Sequence, residues 1–273
     1  MAVRSGDNKH VMVADKDNHR VLIWNKEPFA NGWNADLSLG QNEMDGREPN
    51  RGEFDKCGPD TMSFPTGVFY HAETDKLFVV DQGNNRVLIW NKLPNQSGRA
   101  ADIVLGQKNM YSRSVNAGYG ARRGSADGMY FPTDVVYGRK GLFISDTGNN
   151  RVLMWKEIPT GNGQPADLVI GQKNFSENKF NRNGDVSANT LNDPYGLFLD
   201  EDLENEEDPG RLYIADRGNA RVVVWEKLPE QAQEAKKEDL NQEDGEIFES
   251  DELMGDDDDF LPEEESPEKV PSV

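Results

Sequence analysis

Aspartate, asparagine and arginine recur at one spacing along this chain. Asp81, Gly83, Asn84 and Arg86 form one set. Asp146, Gly148, Asn149 and Arg151 form a second, and Asp216, Gly218, Asn219 and Arg221 a third. A fourth, nearer the N-terminus, keeps Asp15 and Arg20 but has Asp17 where the glycine would be. Oxygen-bearing side chains near a glycine suggest calcium. A calcium site needs several oxygens converging within one loop, and here an arginine is placed among them. The better reading is structural: each aspartate caps the turn amides and faces its arginine, fixing the turn and tying neighbouring units together. Zinc is disfavoured because His10, His19 and His71 fall at non-equivalent points of the repeat, whereas zinc needs ligands in a constrained geometry. No nucleophile motif is present. Gly161-Asn162-Gly163 is a turn, because no strand-helix-strand pattern surrounds it. The reading is therefore no catalytic residue, no metal and no cofactor. Cys57 is the only cysteine, which rules out an intramolecular disulfide.

A second cluster could contact an anion. Arg113, Tyr119, Arg122 and Arg123 share one long loop. Arginines beside an aromatic ring suit RNA, the cations for phosphate and the ring for base stacking. Against this, the body of the chain is not basic, so the preferred reading is a solvated loop whose arginines pair with nearby carboxylates.

The elements that position these residues follow from the same repeat. Its copies span 14–28, 80–94, 145–159 and 215–229, and the aligned Trp24, Trp90, Trp155 and Trp225 are 66, 65 and 70 residues apart. A long period of this kind means one supersecondary unit copied and stacked. Leu77-Phe78-Val79-Val80 reads as a strand. Gly83 and Asn84 tolerate the positive φ of a tight turn. Arg86-Val87-Leu88-Ile89-Trp90 reads as the return strand, and its unbroken apolar run predicts burial on both faces. A leading strand precedes the hairpin, as in Phe64-Pro65-Thr66-Gly67-Val68. A trailing strand follows it, as in Ala101-Asp102-Ile103-Val104-Leu105-Gly106-Gln107. Four strands per period, apolar on both faces, predict the blades of a β-propeller.

Asp-x-Gly-Asn-x-Arg-Val between two apolar strands, after a Pro-x-Gly-Val type strand, resembles the NHL repeat family of β-propellers in a long-period variant of about 65 residues. The resemblance covers roughly residues 10–229. It implies rigid blades that present variable loops to partners. It also keeps a rival open, since some similar propellers hydrolyse or cleave substrates with a metal held in the central channel by His or acidic residues.

The first copy shows no Pro-x-Gly-Val strand and the fourth no clear trailing strand. The expected count is therefore fourteen strands (three, four, four and three), in a ring that is small or incomplete. Lys237-Glu238-Asp239-Leu240 stands about where the last trailing strand belongs. Open blade edges would invite self-association through the terminal units. Loops of about twenty residues follow the trailing strands at 42–62, 108–130 and 173–191, and loops of this length are often functional.

After residue 229 the composition changes. Residues 230–273 hold 18 of the 50 acidic residues and 3 of the 30 basic ones, a net charge of −15 against −20 for the chain. Like charges and little apolar surface predict a disordered acidic tail. Phe248, Leu253 and Phe260 interrupt it and could dock on a partner. No run is long enough to span a bilayer, and the polar stretch 1–10 lacks a signal-peptide core, so a cytoplasmic protein is expected. The reading as a whole is an all-β propeller-type array of four blades over 1–229 with a disordered tail over 230–273. It acts as a non-enzymatic scaffold for protein partners, through the inter-blade loops and the tail. A hydrolase or lyase is the rival and RNA binding comes third.

Overall fold

The computed structural model describes residues 2–5, 10–28, 30–201 and 210–226. Among them the chain is all β, with short 3-10 turns and no α-helix. Four antiparallel sheets follow one another in chain order. Sheet 1 holds β1 (Ala2–Ser5), β2 (His10–Asp15), β3 (Arg20–Trp24) and β4 (Leu37–Leu39). Sheet 2 holds β5 (Pro65–His71), β6 (Lys76–Asp81), β7 (Arg86–Trp90) and β8 (Ile103–Leu105). Sheet 3 holds β9 (Val135–Gly138), β10 (Gly141–Asp146), β11 (Arg151–Trp155) and β12 (Leu168–Ile170). Sheet 4 holds β13 (Pro194–Asp200), β14 (Arg211–Asp216) and β15 (Arg221–Trp225). The strands of each sheet pair in chain order, and none of the sheets closes on itself.

This corrects the strand count expected from sequence. Sheet 1 does have a leading strand, β1, whose Val3 pairs with Met12 as Phe69 pairs with Phe78 in sheet 2. Its sequence, Ala-Val-Arg-Ser, carries no Pro-x-Gly-Val signature. A ladder needs only backbone groups, so the motif is not required for pairing. Sheet 4 shows three strands among the described residues, and 237–240 lie outside them.

Alternation along the strands builds the core. Leu77 and Val79 of β6 face sheet 1, while Phe78 and Val80 face sheet 3. Each gap between neighbouring sheets is filled by one apolar cluster. Met12, Ile23, Leu88 and Trp90 lie between sheets 1 and 2. Phe78, Ile89, Leu153 and Trp155 lie between sheets 2 and 3, and Phe143, Met154, Leu212 and Ile214 between sheets 3 and 4. The continuous apolar runs of β7 and β11 are buried on both faces, as a sheet covered on each side requires.

The hairpin turns depart from expectation. Each is a 3-10 turn, Gln82–Asn84 in sheet 2, and the left-handed residue is the one that follows it. His19, Asn85, Asn150 and Ala220 take φ of 54°, 53°, 53° and 51°. Gly83 and Gly148 are not in that region. They are glycines because the backbone of the incoming segment lies against them. Gly148 N donates to Tyr130 O at 2.8 Å, and a Cβ on Gly148 would lie 2.6 Å from that oxygen.

The outer edges of sheets 1 and 2 are covered, which answers part of the edge-strand hazard. The Ser38 amide of β4 donates to Ser97 Oγ at 3.0 Å, and Ser38 O accepts from Gly98 N at 2.8 Å. Val104 of β8 makes the same pair with Asn162 Oδ1 and Gly163 N.

Candidate functional site

The repeated aspartate and arginine form a buried network at each hairpin. In sheet 2, Asp81 and Arg86 are both inaccessible to solvent and meet at 2.7 Å. Asp81 also accepts from Asn84 Nδ2 at 2.8 Å and from the Ser63 amide at 2.7 Å. The aspartate therefore holds the segment ahead of its sheet, whereas capping of the turn's own amides was expected. Beyond its bond to Asp81, the Arg86 guanidinium donates to Gly58 O, Thr61 O and Cys57 Sγ of the preceding loop and to Met110 O of the following one. One arginine thus fastens the loop before its sheet to the loop after it. Arg151 repeats the arrangement with Asp146, Ser125 O, Gly128 O and Phe175 O. A buried ion pair survives only when its remaining polar atoms are bonded, and here they are.

The terminal copies hold half of this. Among the described residues Arg20 meets Asp15 and Met44 O, on the following side. Among the described residues Arg221 meets Asp216, Ser187 O and Thr190 O, on the preceding side. Trp90 and Trp155 are buried and donate to Arg99 O and Gln164 O at 3.0 Å, while Trp24 and Trp225 are partly exposed.

The long loops are built parts. Gln107 Nε2 donates to Asn85 O and Ser114 O, and Gln41 and Gln172 do the same in their repeats. Asn50 and Asn84 exchange amide hydrogen bonds at 3.1 and 2.8 Å, as Asn116 does with Asn149 and Asn181 with Asn219. Sequence reading missed this second asparagine, which sits in each loop with positive φ. Its signal was the recurrence of an asparagine near the middle of every loop.

On this frame the loops expose large aromatic side chains. Phe54 is 69% exposed in the first loop, Tyr111 73% in the second and Phe180 58% in the third. Of the loop residues singled out from sequence, Tyr119, Arg122 and Arg123 are exposed and Arg113 is half-buried, its carbonyl accepting from Asn85 Nδ2. The Lys108 ammonium lies 5.9 Å from the centre of the Tyr119 ring. Phe248, Leu253 and Phe260 lie outside the described residues, as does the whole acidic segment 230–273.

A separate cleft of about 530 Å³ opens where β5, β9 and β13 begin, lined by Thr66, Thr133, Asp134 and Tyr195 and by the outer face of sheet 4. Asp134 stands where the sister repeats have Gly67 and Gly196. It is buried, and desolvation pushes its carboxyl up to about 6 against the pull of the Leu197 and Val135 amides. Those amides bond it at 2.9 and 3.0 Å. The Leu197 amide lies at the register shift between Pro194 and Leu197, where β13 bulges away from β14. Asp134 thus ties β9 to β13. A carboxyl near neutrality is also the kind of group that transfers protons. Among the described residues no cluster of three His, Cys, Asp or Glu side chains is arranged to hold a metal ion. No described helix is long and apolar enough to cross a membrane.

No family model matches the chain, and no curated protein does. Among solved structures it is similar to an auxiliary nutrient binding protein from Bacteroides thetaiotaomicron. That likeness has 14% identity and a TM-score of 0.44, over 83% of this chain and 47% of that one. It is also similar to a 6-phosphogluconolactonase-like protein from Bacteroides uniformis, with 10% identity and a TM-score of 0.38, over 84% of this chain and 66% of that one. The chain spans about half the length of the first and two thirds of the second, and likenesses this distant carry no chemistry across.

Proposed function

We propose that this chain is an NHL-like, propeller-type repeat scaffold that binds a protein partner through its long loops. One observation carries the reading: three successive loops, clamped from beneath by buried Arg–Asp pairs, each present an exposed aromatic side chain, Phe54, Tyr111 and Phe180. The polar chemistry of the repeat is spent inside the frame. Exposed aromatics on a rigid base are the anchors that interfaces use. The acidic tail with Phe248, Leu253 and Phe260 is the second contact in this reading, steered toward a basic partner. The test is affinity capture from the organism's own lysate, with the intact chain and with a Phe54→Ser, Tyr111→Ser, Phe180→Ser variant. A partner held by the first and lost by the second supports the reading; identical captures overturn it.

A second reading rests on Asp134. A hydrolase or lyase working in the central cleft would use this carboxyl as its proton donor or acceptor. Its rate would follow a group titrating near 6 and would be lost in Asp134→Asn. The third reading, RNA on Arg113, Tyr119, Arg122 and Arg123, has Lys108 in its favour and the net negative charge of the body against it. Salt-sensitive binding lost in Arg122→Glu, Arg123→Glu would support it.

A further inference from the structure

The three inter-sheet interfaces are built by one rule. The departing face of a sheet offers the second-strand and third-strand residues Met12, Val21 and Ile23 in sheet 1, Phe78, Val87 and Ile89 in sheet 2, and Phe143, Val152 and Met154 in sheet 3. The receiving face offers Leu77, Val79, Leu88 and Trp90 in sheet 2, with their register partners in sheets 3 and 4. Both kinds of face occur once more with nothing described against them. By register, the departing face of sheet 4 is Tyr213, Val222 and Val224, with Phe198 beside them on β13. Phe198 and Val222 are each 62% exposed and Val224 46%. The receiving face of sheet 1 is Val11, Val13, Leu22 and Trp24, all partly exposed where their counterparts in sheets 2 and 3 are buried. A stacked array needs polar outer faces at its ends to stay single, and both ends of the described array are apolar.

From this we infer that copies of the chain associate head to tail, the departing face of sheet 4 seating the receiving face of sheet 1 of a second copy. The cleft of about 530 Å³ beside Phe198, Tyr213 and Val222 is the room a leading strand would fill. At internal interfaces the left-handed residue of one sheet accepts from an amide ahead of the next: His19 from Phe64, Asn85 from Phe131 and Asn150 from Asp193. In sheet 4 that residue is Ala220, which has no side-chain acceptor. A contact between unlike faces repeats, giving a closed ring or an open chain of copies.

The test is sedimentation velocity on the full chain over a wide concentration range, with Val222→Lys, Val224→Lys and Leu22→Lys. Val222 and Val224 are exposed, so these substitutions leave the fold intact, which circular dichroism checks. The wild type should associate with concentration, and more strongly in higher salt, because copies of net charge −20 repel. Each variant alone should weaken association roughly tenfold or more. A mixture of Val222→Lys and Leu22→Lys, in which one good face of each kind survives, should give a one-to-one dimer and nothing larger. A wild type that stays monomeric throughout means the faces are covered within one chain and overturns the inference. Association lost in Val222→Lys but unchanged in Leu22→Lys, with no added dimer on mixing, means like faces meet and also overturns it.

Discussion

At the residue scale the aspartate–arginine pair is a fastener whose strength depends on its place in the array. Arg151 is inaccessible and bonds groups on both sides of its sheet, whereas Arg221 is 27% exposed and among the described residues bonds only the preceding side. Arg151→Ala should cost about 3–5 kcal/mol because it strands a buried carboxylate, and Arg221→Ala clearly less. Urea titrations check the order, and equal losses would contradict it. The turn glycines give a second expectation. Gly148→Ala should cost roughly 1–3 kcal/mol, by pressing a methyl onto Tyr130 O. Ala220→Gly, at φ 51°, should instead stabilise by roughly 0.5–1 kcal/mol. Asp134 gives a third. Burial favours its neutral form in the folded chain, so its contribution is complete below the ordinary aspartate range and fades as pH rises through about 6. Between about pH 4 and pH 7 the wild type should lose roughly 2–3 kcal/mol relative to Asp134→Asn. Parallel stability curves would remove desolvation as the cause.

At the element scale the unit that matters is the hairpin together with the loop it holds. Gln107 joins Asn85 O of the turn to Ser114 O of the loop, and Asn116 joins the loop to the next hairpin at Asn149. Gln107→Ala leaves those carbonyls without a partner, which costs about 1–3 kcal/mol for buried groups. Hydrogen exchange should rise first in residues 108–130 while β10 and β11 stay protected. Uniform acceleration would show that the loop and the sheets open as one. The outermost element of sheet 4 lacks part of the pattern among the described residues. Trp225 Nε1 is buried without a partner, and its counterparts bond the carbonyl nine residues on. For Trp225 that is residue 234, outside the described residues.

At the scale of the whole molecule, stability comes from three apolar gaps between four sheets and from arginine fasteners across them, with no described group arranged around a metal. A chelator should therefore leave the thermal midpoint unchanged to within about a degree, while a drop of many degrees would mean a bound ion supports the fold. Among the described residues the same stacking places an apolar face at either end, and the head-to-tail association inferred from it would make sedimentation depend on concentration.

The sequence alone determined the period, fourteen of the fifteen described strands and the two-sided burial of β7 and β11, because apolar runs and turn residues are local signals. It also determined the pairing of each aspartate with its arginine, five residues apart across one hairpin. Three things were decided only by tertiary structure. β1 escaped notice because a ladder asks for backbone and its four residues carry no motif. The turn glycines were assigned to positive φ because glycine allows it, but their need is room for Ser63 and Tyr130, which lie 20 and 18 residues earlier. Asp134 stands where the sister repeats have glycine; its burial and its bond to Leu197 exist only once β9 and β13 lie side by side. Local chemistry is written in neighbouring residues, whereas close approach and desolvation depend on segments that meet only when the sheets stack.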